Sequence, residues 1–185
     1  MGASAKLDQA AIVAAAFEVL NNAGLDGLSL RLVADQLGVQ APALYWHVHN
    51  KAELLSLMAA RFHEVARLPG LGAASWRDHL ILSARARRQA MLERRDSARL
   101  CVVAQPLKSA AELAPQLTTP LLAAGLTERQ ALSYQAAVIA YTVGWVAYEQ
   151  SQAMHDFLTQ LIDFDESFET GLRALVSGFA PPAGG

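Results

Sequence analysis

Cysteine is nearly missing from this chain. Among 185 residues there is one, Cys101, so no intrachain disulfide can form and a zinc site built from several thiolates is excluded. A marked charge of either sign is missing too. Fifteen lysines and arginines face 17 acids, for a net charge of −2, so composition does not announce a nucleic-acid partner. The first 51 residues hold Lys6, Arg31 and Lys51 against Asp8, Glu18, Asp26 and Asp35. Disorder is ruled out by the opposite surplus, because 53% of residues are hydrophobic and 17% charged. The start lacks the basic-then-apolar pattern of a secretory leader. Between Arg129 and Glu149 no charge occurs over a length that could span a bilayer. Gln130, Ser133, Gln135, Thr142 and many alanines make that stretch weakly apolar, and no basic cluster flanks it. It reads as a core or subunit-interface helix. A cytoplasmic protein without a membrane partner, metal or cofactor is expected.

Strand-period alternation and internal repeats are also missing; helical periodicity is what remains. A first helix runs from Leu7 to Ala23, with Ile12, Val13, Ala16, Phe17 and Leu20 at helical spacing and Asp8 as cap. Gly24 suits the left-handed position beyond it, and Asp26-Gly27 marks a turn. A second helix begins at Ser29, carries Leu30, Val33, Ala34 and Leu37, and stops at Gly38. Gly38-Val39-Gln40 leads to a short third helix from Ala41 to about Val48, with Pro42 in its first turn. Asn50 and Glu53 have the spacing of a reciprocal cap for a fourth helix, which reaches about Arg67. Breakers from Leu68 to Gly72 separate it from a long helix, Ser75 to Arg94, and a shorter one from Asp96 to Val103. Pro106, Pro115 and Pro120 bound further segments. Gly125-Leu126-Thr127-Glu128 ends one helix and caps the next, which runs to Ser151, and a last helix spans Phe164 to Phe179. The tail from Pro181 is expected to be disordered. The fold class is all-α, with a three-helix head in residues 1–51 and a larger helical body in 52–185.

Two helices joined by a Gly-containing turn suit a helix-turn-helix unit, whose second helix enters the major groove. Here that helix is Ala41-Pro42-Ala43-Leu44-Tyr45-Trp46-His47. With Leu44 packed inward, Ala41, Ala43, Tyr45 and His47 face the DNA. Small residues can meet a thymine methyl, and Tyr45 and His47 can hydrogen-bond phosphate. Arg31 suits a bidentate contact to guanine, and Lys51 a phosphate. By periodicity alone, Tyr45 and Trp46 serve equally well as core aromatics.

Leu25-Asp26-Gly27-Leu28-Ser29-Leu30-Arg31, Val33 to Val39, and Ala43-Leu44-Tyr45-Trp46-His47-Val48-His49-Asn50-Lys51-Ala52-Glu53-Leu54-Leu55 resemble the DNA-binding domain of the tetracycline-repressor (TetR) family. The segment Leu44 to Val48 followed by Asn50-Lys51 is especially close to the repressor that names the family. The likeness is strong from Leu7 to Arg67. It continues weakly through Ser75-Trp76-Arg77-Asp78, Arg95-Asp96, Gly125 and the Phe164 to Phe179 segment. It implies a homodimeric regulator: a helix-turn-helix head on operator DNA, and a helical body that dimerises and binds a small effector that releases the DNA. Matched positions give Arg31, Tyr45, His47 and Lys51 as DNA contacts, with Gln40, Ala41, Pro42 and Ala43 shaping base readout. The name-giving repressor has polar side chains where this chain has Ala41 and Ala43, which implies a different operator.

The same comparison places Arg67, Ser83, Arg87, Cys101 and Ala104 near that repressor's polar drug-binding and magnesium-binding side chains. Cys101 in place of a metal-binding imidazole does not suit hard magnesium, so a metal-free, apolar or aromatic effector is expected. In the long helix, Leu80, Ala84 and Met91 form an apolar stripe flanked by Arg87 and Arg88. Such arginines ordinarily snorkel to the surface; the alternative is pairing with an anionic group on the effector. A small helical enzyme would have to draw on His63, His79, Cys101, Asp156 and Glu166, which are scattered without catalytic spacing. A helical module without DNA recognition is the remaining alternative, favoured by the acid-balanced head and the two alanines.

Overall fold

A computed structural model describes residues 8–70 and 72–181. Leu7 and the tail from Pro182, for which a helix start and disorder were expected, lie outside the described residues. Ten helices and no strand occur among the described residues, in line with the all-α expectation. They group into two compact units. One comprises the chain up to Arg61 together with Arg94–Leu107; the other comprises Phe62–Glu93 and the chain from Lys108.

In the first unit, α1 (Gln9–Gly27) starts where the Asp8 carboxylate accepts the Ala11 N–H at 2.8 Å. At Gly24 the backbone leaves helical geometry, with φ 71° and ψ 175°, and one more helical turn follows. The turn expected at Asp26-Gly27 is therefore helical, closed by Leu28 N–H on the Gly24 carbonyl at 3.1 Å. α2 (Leu30–Leu37) is capped by Ser29 and ends at Gly38, whose φ of 67° and ψ of 27° are left-handed. The Gly38 and Val39 amides then bond back to the Asp35 and Ala34 carbonyls, which turns the chain sharply into α3.

α3 (Ala41–Tyr45) is shorter than expected. The His47 N–H bonds to the Leu44 carbonyl at 2.9 Å, a tightened last turn that drops Val48 into the core. α4 (Lys51–Gly70) starts on the Asn50 cap, but the cap is not reciprocal. The Glu53 carboxylate accepts from the backbone N–H of His49 at 2.7 Å and from its ring Nδ1 at 2.9 Å. α4 also passes through Pro69 to Gly70, beyond the expected end at Arg67.

α5 (Trp76–Leu92) is capped by Ser75 and belongs to the second unit. α6 (Ser97–Val103) belongs to the first. α7 (Ala110–Ala123) contains Pro115 and Pro120, which were expected to bound segments. Its N-terminus carries a full Ser109–Glu112 capping box. The carbonyls deprived of a helical donor by the two prolines, those of Ala111 and Gln116, belong to exposed residues where water can serve.

α8 (Glu128–Gln150) has a second box, Thr127–Gln130. α9 (Gln152–Leu158) was not anticipated, and α10 (Phe164–Ser177) ends two residues before the expected limit. Trp76, Leu80 and Ala84 of α5, Val138 of α8, and Phe168, Leu172 and Val176 of α10 form the core of this unit. Among the described residues, no helix is long and apolar enough to cross a membrane.

Candidate functional site

Around α3 the head presents several polar side chains outward without partners among the described residues. Leu44 is fully buried and anchors α3. Around it Arg31, Gln40, Pro42, Tyr45 and His47 are exposed, while Ala41 and Ala43 are half-buried. Tyr45 is 50% exposed and Trp46 87%, so the core-aromatic reading fails for Trp46. The side chains of Arg31, Gln40, Tyr45 and His47 make no hydrogen bond or ion pair with another described residue. Several arginines elsewhere are engaged, Arg85 with Glu169, Arg88 with Glu149 and Arg99 with Asp26. Donors left open to water on a short, Pro-started helix suit an external acceptor such as a nucleic-acid duplex. Trp46 was missed as a surface group. Sequence alternation cannot expose it, because the helix ends at Tyr45 and tips the following residues outward.

Lys51 is partly engaged. Its Nζ donates to the Leu25 carbonyl at 3.0 Å, which leaves two of three N–H groups for an anion. Leu25 also donates its backbone N–H to the Asp96 carboxylate at 2.8 Å.

The residues expected at an effector site fall in both units. Cys101 and Ala104 lie in the first; Arg67, Ser83 and Arg87 lie in the second. Arg67 is exposed. Ser83 and Arg87 are each only 4% exposed, so Arg87 is not the snorkelling surface residue the sequence suggests. Its Nη1 lies 3.1 Å from Nδ1 of His63. Burial, with the positive Arg87 alongside, pushes the His63 ring down to about 4. The ring is therefore neutral at physiological pH and accepts from the guanidinium. Two turns earlier on α5, His79 is buried and its Nδ1 donates to the Gly70 carbonyl at 2.9 Å. Ser83 Oγ is buried without a hydrogen-bond partner, as are Gln135 Oε1 and Trp145 Nε1. Sequence spacing could not single out the last two, since an unsatisfied atom is a property of packing.

His63 has a consequence for stability. Between pH 6.5 and about 4 the unfolded chain takes up a proton that the folded protein refuses. Its contribution is thus present above that window and lost as pH falls through it. Thermal melting is expected to decline less between these pH values in His63→Gln than in the wild type; parallel declines would contradict the burial argument.

A short, capped helix pair with a left-handed glycine turn and outward donors defines a helix-turn-helix DNA-binding protein of the regulatory class. The comparisons agree. The description "Bacterial regulatory proteins, tetR family" matches residues 12–58, and "Tetracyclin repressor-like, C-terminal domain" matches residues 68–161. Tetracycline repressor class A from transposon 1721 of Escherichia coli is 36% identical over 201 residues, covering 95% of this chain and 91% of its own. The crystal structure of TetR from Acinetobacter baumannii AYE is similar at a TM-score of 0.76 and 34% identity, covering 94% of this chain and 97% of that one. A structure of BioQ with its natural double-stranded DNA operator matches at a TM-score of 0.68 and 32% identity, covering 95% and 99%; BioQ from Mycobacterium smegmatis is also matched. The chain belongs to the tetR family of bacterial regulatory proteins and is a DNA-binding transcriptional regulator.

Proposed function

We propose that this regulator is a cytoplasmic homodimeric repressor, held on a palindromic operator until a small effector binds. The observation that carries the DNA reading is the set of exposed, unpartnered donors on Arg31, Gln40, Tyr45 and His47. In this reading residues 1–51 serve the operator, and residues 52–185 dimerise and bind the effector. Arg31 reads guanine, Tyr45, His47 and Lys51 hold phosphates, and Gln40, Ala41, Pro42 and Ala43 shape the readout. Two copies related by a two-fold axis place two such heads on two half-sites. Selection from a random duplex pool with the full chain is expected to enrich a palindrome whose affinity falls steeply with salt. Binding indifferent to sequence and salt would sink the reading.

The effector is proposed to be apolar or aromatic and metal-free, with Arg67, Ser83 and Arg87 as its candidate contacts in the second unit. Relatives have been solved with minocycline, and with 5a,6-anhydrotetracycline and magnesium. No group of three or more His, Cys, Asp or Glu side chains able to hold a metal ion occurs among the described residues. The buried Arg87 guanidinium also disfavours a second cation nearby. Calorimetric titration with a tetracycline–magnesium complex is expected to show no tight binding; nanomolar affinity would overturn this assignment.

A further inference from the structure

The two backbone polar groups of Leu25, in successive peptide units, are each held by a side chain distant in sequence. The carbonyl accepts from Lys51 Nζ at 3.0 Å, and the N–H is accepted by Asp96 Oδ2 at 2.8 Å. The joint is built with unusual backbone at two points. Asp96 has φ 54°, and no other non-glycine residue described has a positive φ. Gly24 has φ 71° and lies so close that an added Cβ would sit 3.1 Å from Asp96 Oδ2. Neighbouring bonds fix the same edge: Arg95 N–H donates to Asn21 Oδ1 at 3.0 Å, and Arg99 pairs with Asp26 at 3.1 Å. Strain of this kind persists where the surroundings over-determine it and points to a positioning task.

We propose that Asp96 is a positioning residue for operator binding, setting the Lys51 ammonium through the backbone of Leu25. This rests on the reading of Lys51 as a phosphate contact. The carboxylate fixes Leu25 N–H, the helical backbone of Leu25 carries that constraint across its Cα to its own carbonyl, and the carbonyl holds one of three ammonium N–H bonds. The other two are thereby aimed at an anion at the start of α4. Releasing Leu25 lets Lys51 wander, and a wandering lysine contributes less to a specific phosphate contact. Asp96 itself touches no DNA in this scheme.

The test uses the full chain and the duplex enriched by selection. Lys51→Ala is expected to weaken binding roughly three- to ten-fold and to flatten the slope of log K against log salt by about 0.9. Asp96→Ala should lose affinity and slope in the same way, and the double variant should be no weaker than Lys51→Ala alone. Asp96→Asn keeps an acceptor for Leu25 N–H and should fall between wild type and Asp96→Ala. Thermal unfolding is followed for each. If Asp96→Ala does not fold, the intermediate loss in Asp96→Asn must vanish in the Lys51→Ala background. An unchanged salt slope, or losses that add in the double variant, would mean that Asp96 merely supports the head, and the proposal fails. Wild-type affinity in Lys51→Ala would instead remove the phosphate reading of Lys51, and the proposal with it.

Discussion

Arg88→Ala is expected to destabilise the unit that contains α5, α8 and α10 by about 3–5 kcal/mol. Arg88 donates to both carboxylate oxygens of Glu149, at 3.0 and 2.5 Å, and to Asp165 at 2.6 Å. Its guanidinium also lies over the Phe168 ring, 4.7 Å from the centroid. The Glu149 side chain is only 8% exposed. Removing the arginine therefore leaves a carboxylate out of water without its counter-charge, and strips one face of a core aromatic. Replacing both partners by apolar residues, as in Arg88→Met with Glu149→Leu, should recover much of the loss, because neither charge is then stranded. Urea unfolding of the single and double variants measures both. A single-variant loss under about 1 kcal/mol, the size of an exposed pair, would show that water reaches Glu149.

Arg31→Ala is the second large effect, and it falls on recognition. A bidentate arginine–guanine contact is worth about 1–3 kcal/mol of discrimination, so affinity for the selected duplex should drop between roughly five- and 150-fold. The loss should be concentrated at one base pair of each half-site: a duplex substituted there should bind wild type poorly and the variant no worse than the parent duplex. Competition against single-base variants reads this directly. An equal loss across every duplex would make Arg31 a backbone contact instead.

Much of the head was legible because its signals are local. Asp8, Ser29, Gly38 and Pro42 act within three or four residues of themselves, and the structure uses each as a cap or turn. The Glu53 carboxylate went elsewhere because His49 offers two donors, a backbone N–H and a ring nitrogen. α9 escaped notice for a physical reason: seven residues, no side-chain cap and no buried position leave little periodic signal. The prolines of α7 misled because each frees one carbonyl, Ala111 and Gln116, on an exposed residue where water can take the donor's place. The burial of Arg87 was hidden altogether. Position on an apolar stripe is fixed by sequence, but enclosure is decided by what packs over it, and here a neutral histidine sits against the guanidinium.

The break in α1 also bears on how this chain can drift over generations. Gly24 is closed to substitution twice, by its φ of 71° and by the Asp96 carboxylate beside it. A descendant that loses Asp96 removes the second barrier but not the first, since L-residues still pay for that backbone angle. Position 96 can therefore vary while position 24 stays glycine, whereas a side chain at 24 demands a rebuilt joint. The dependence between two sites 72 positions apart runs one way, and a comparison of descendants should show it as lopsided covariation.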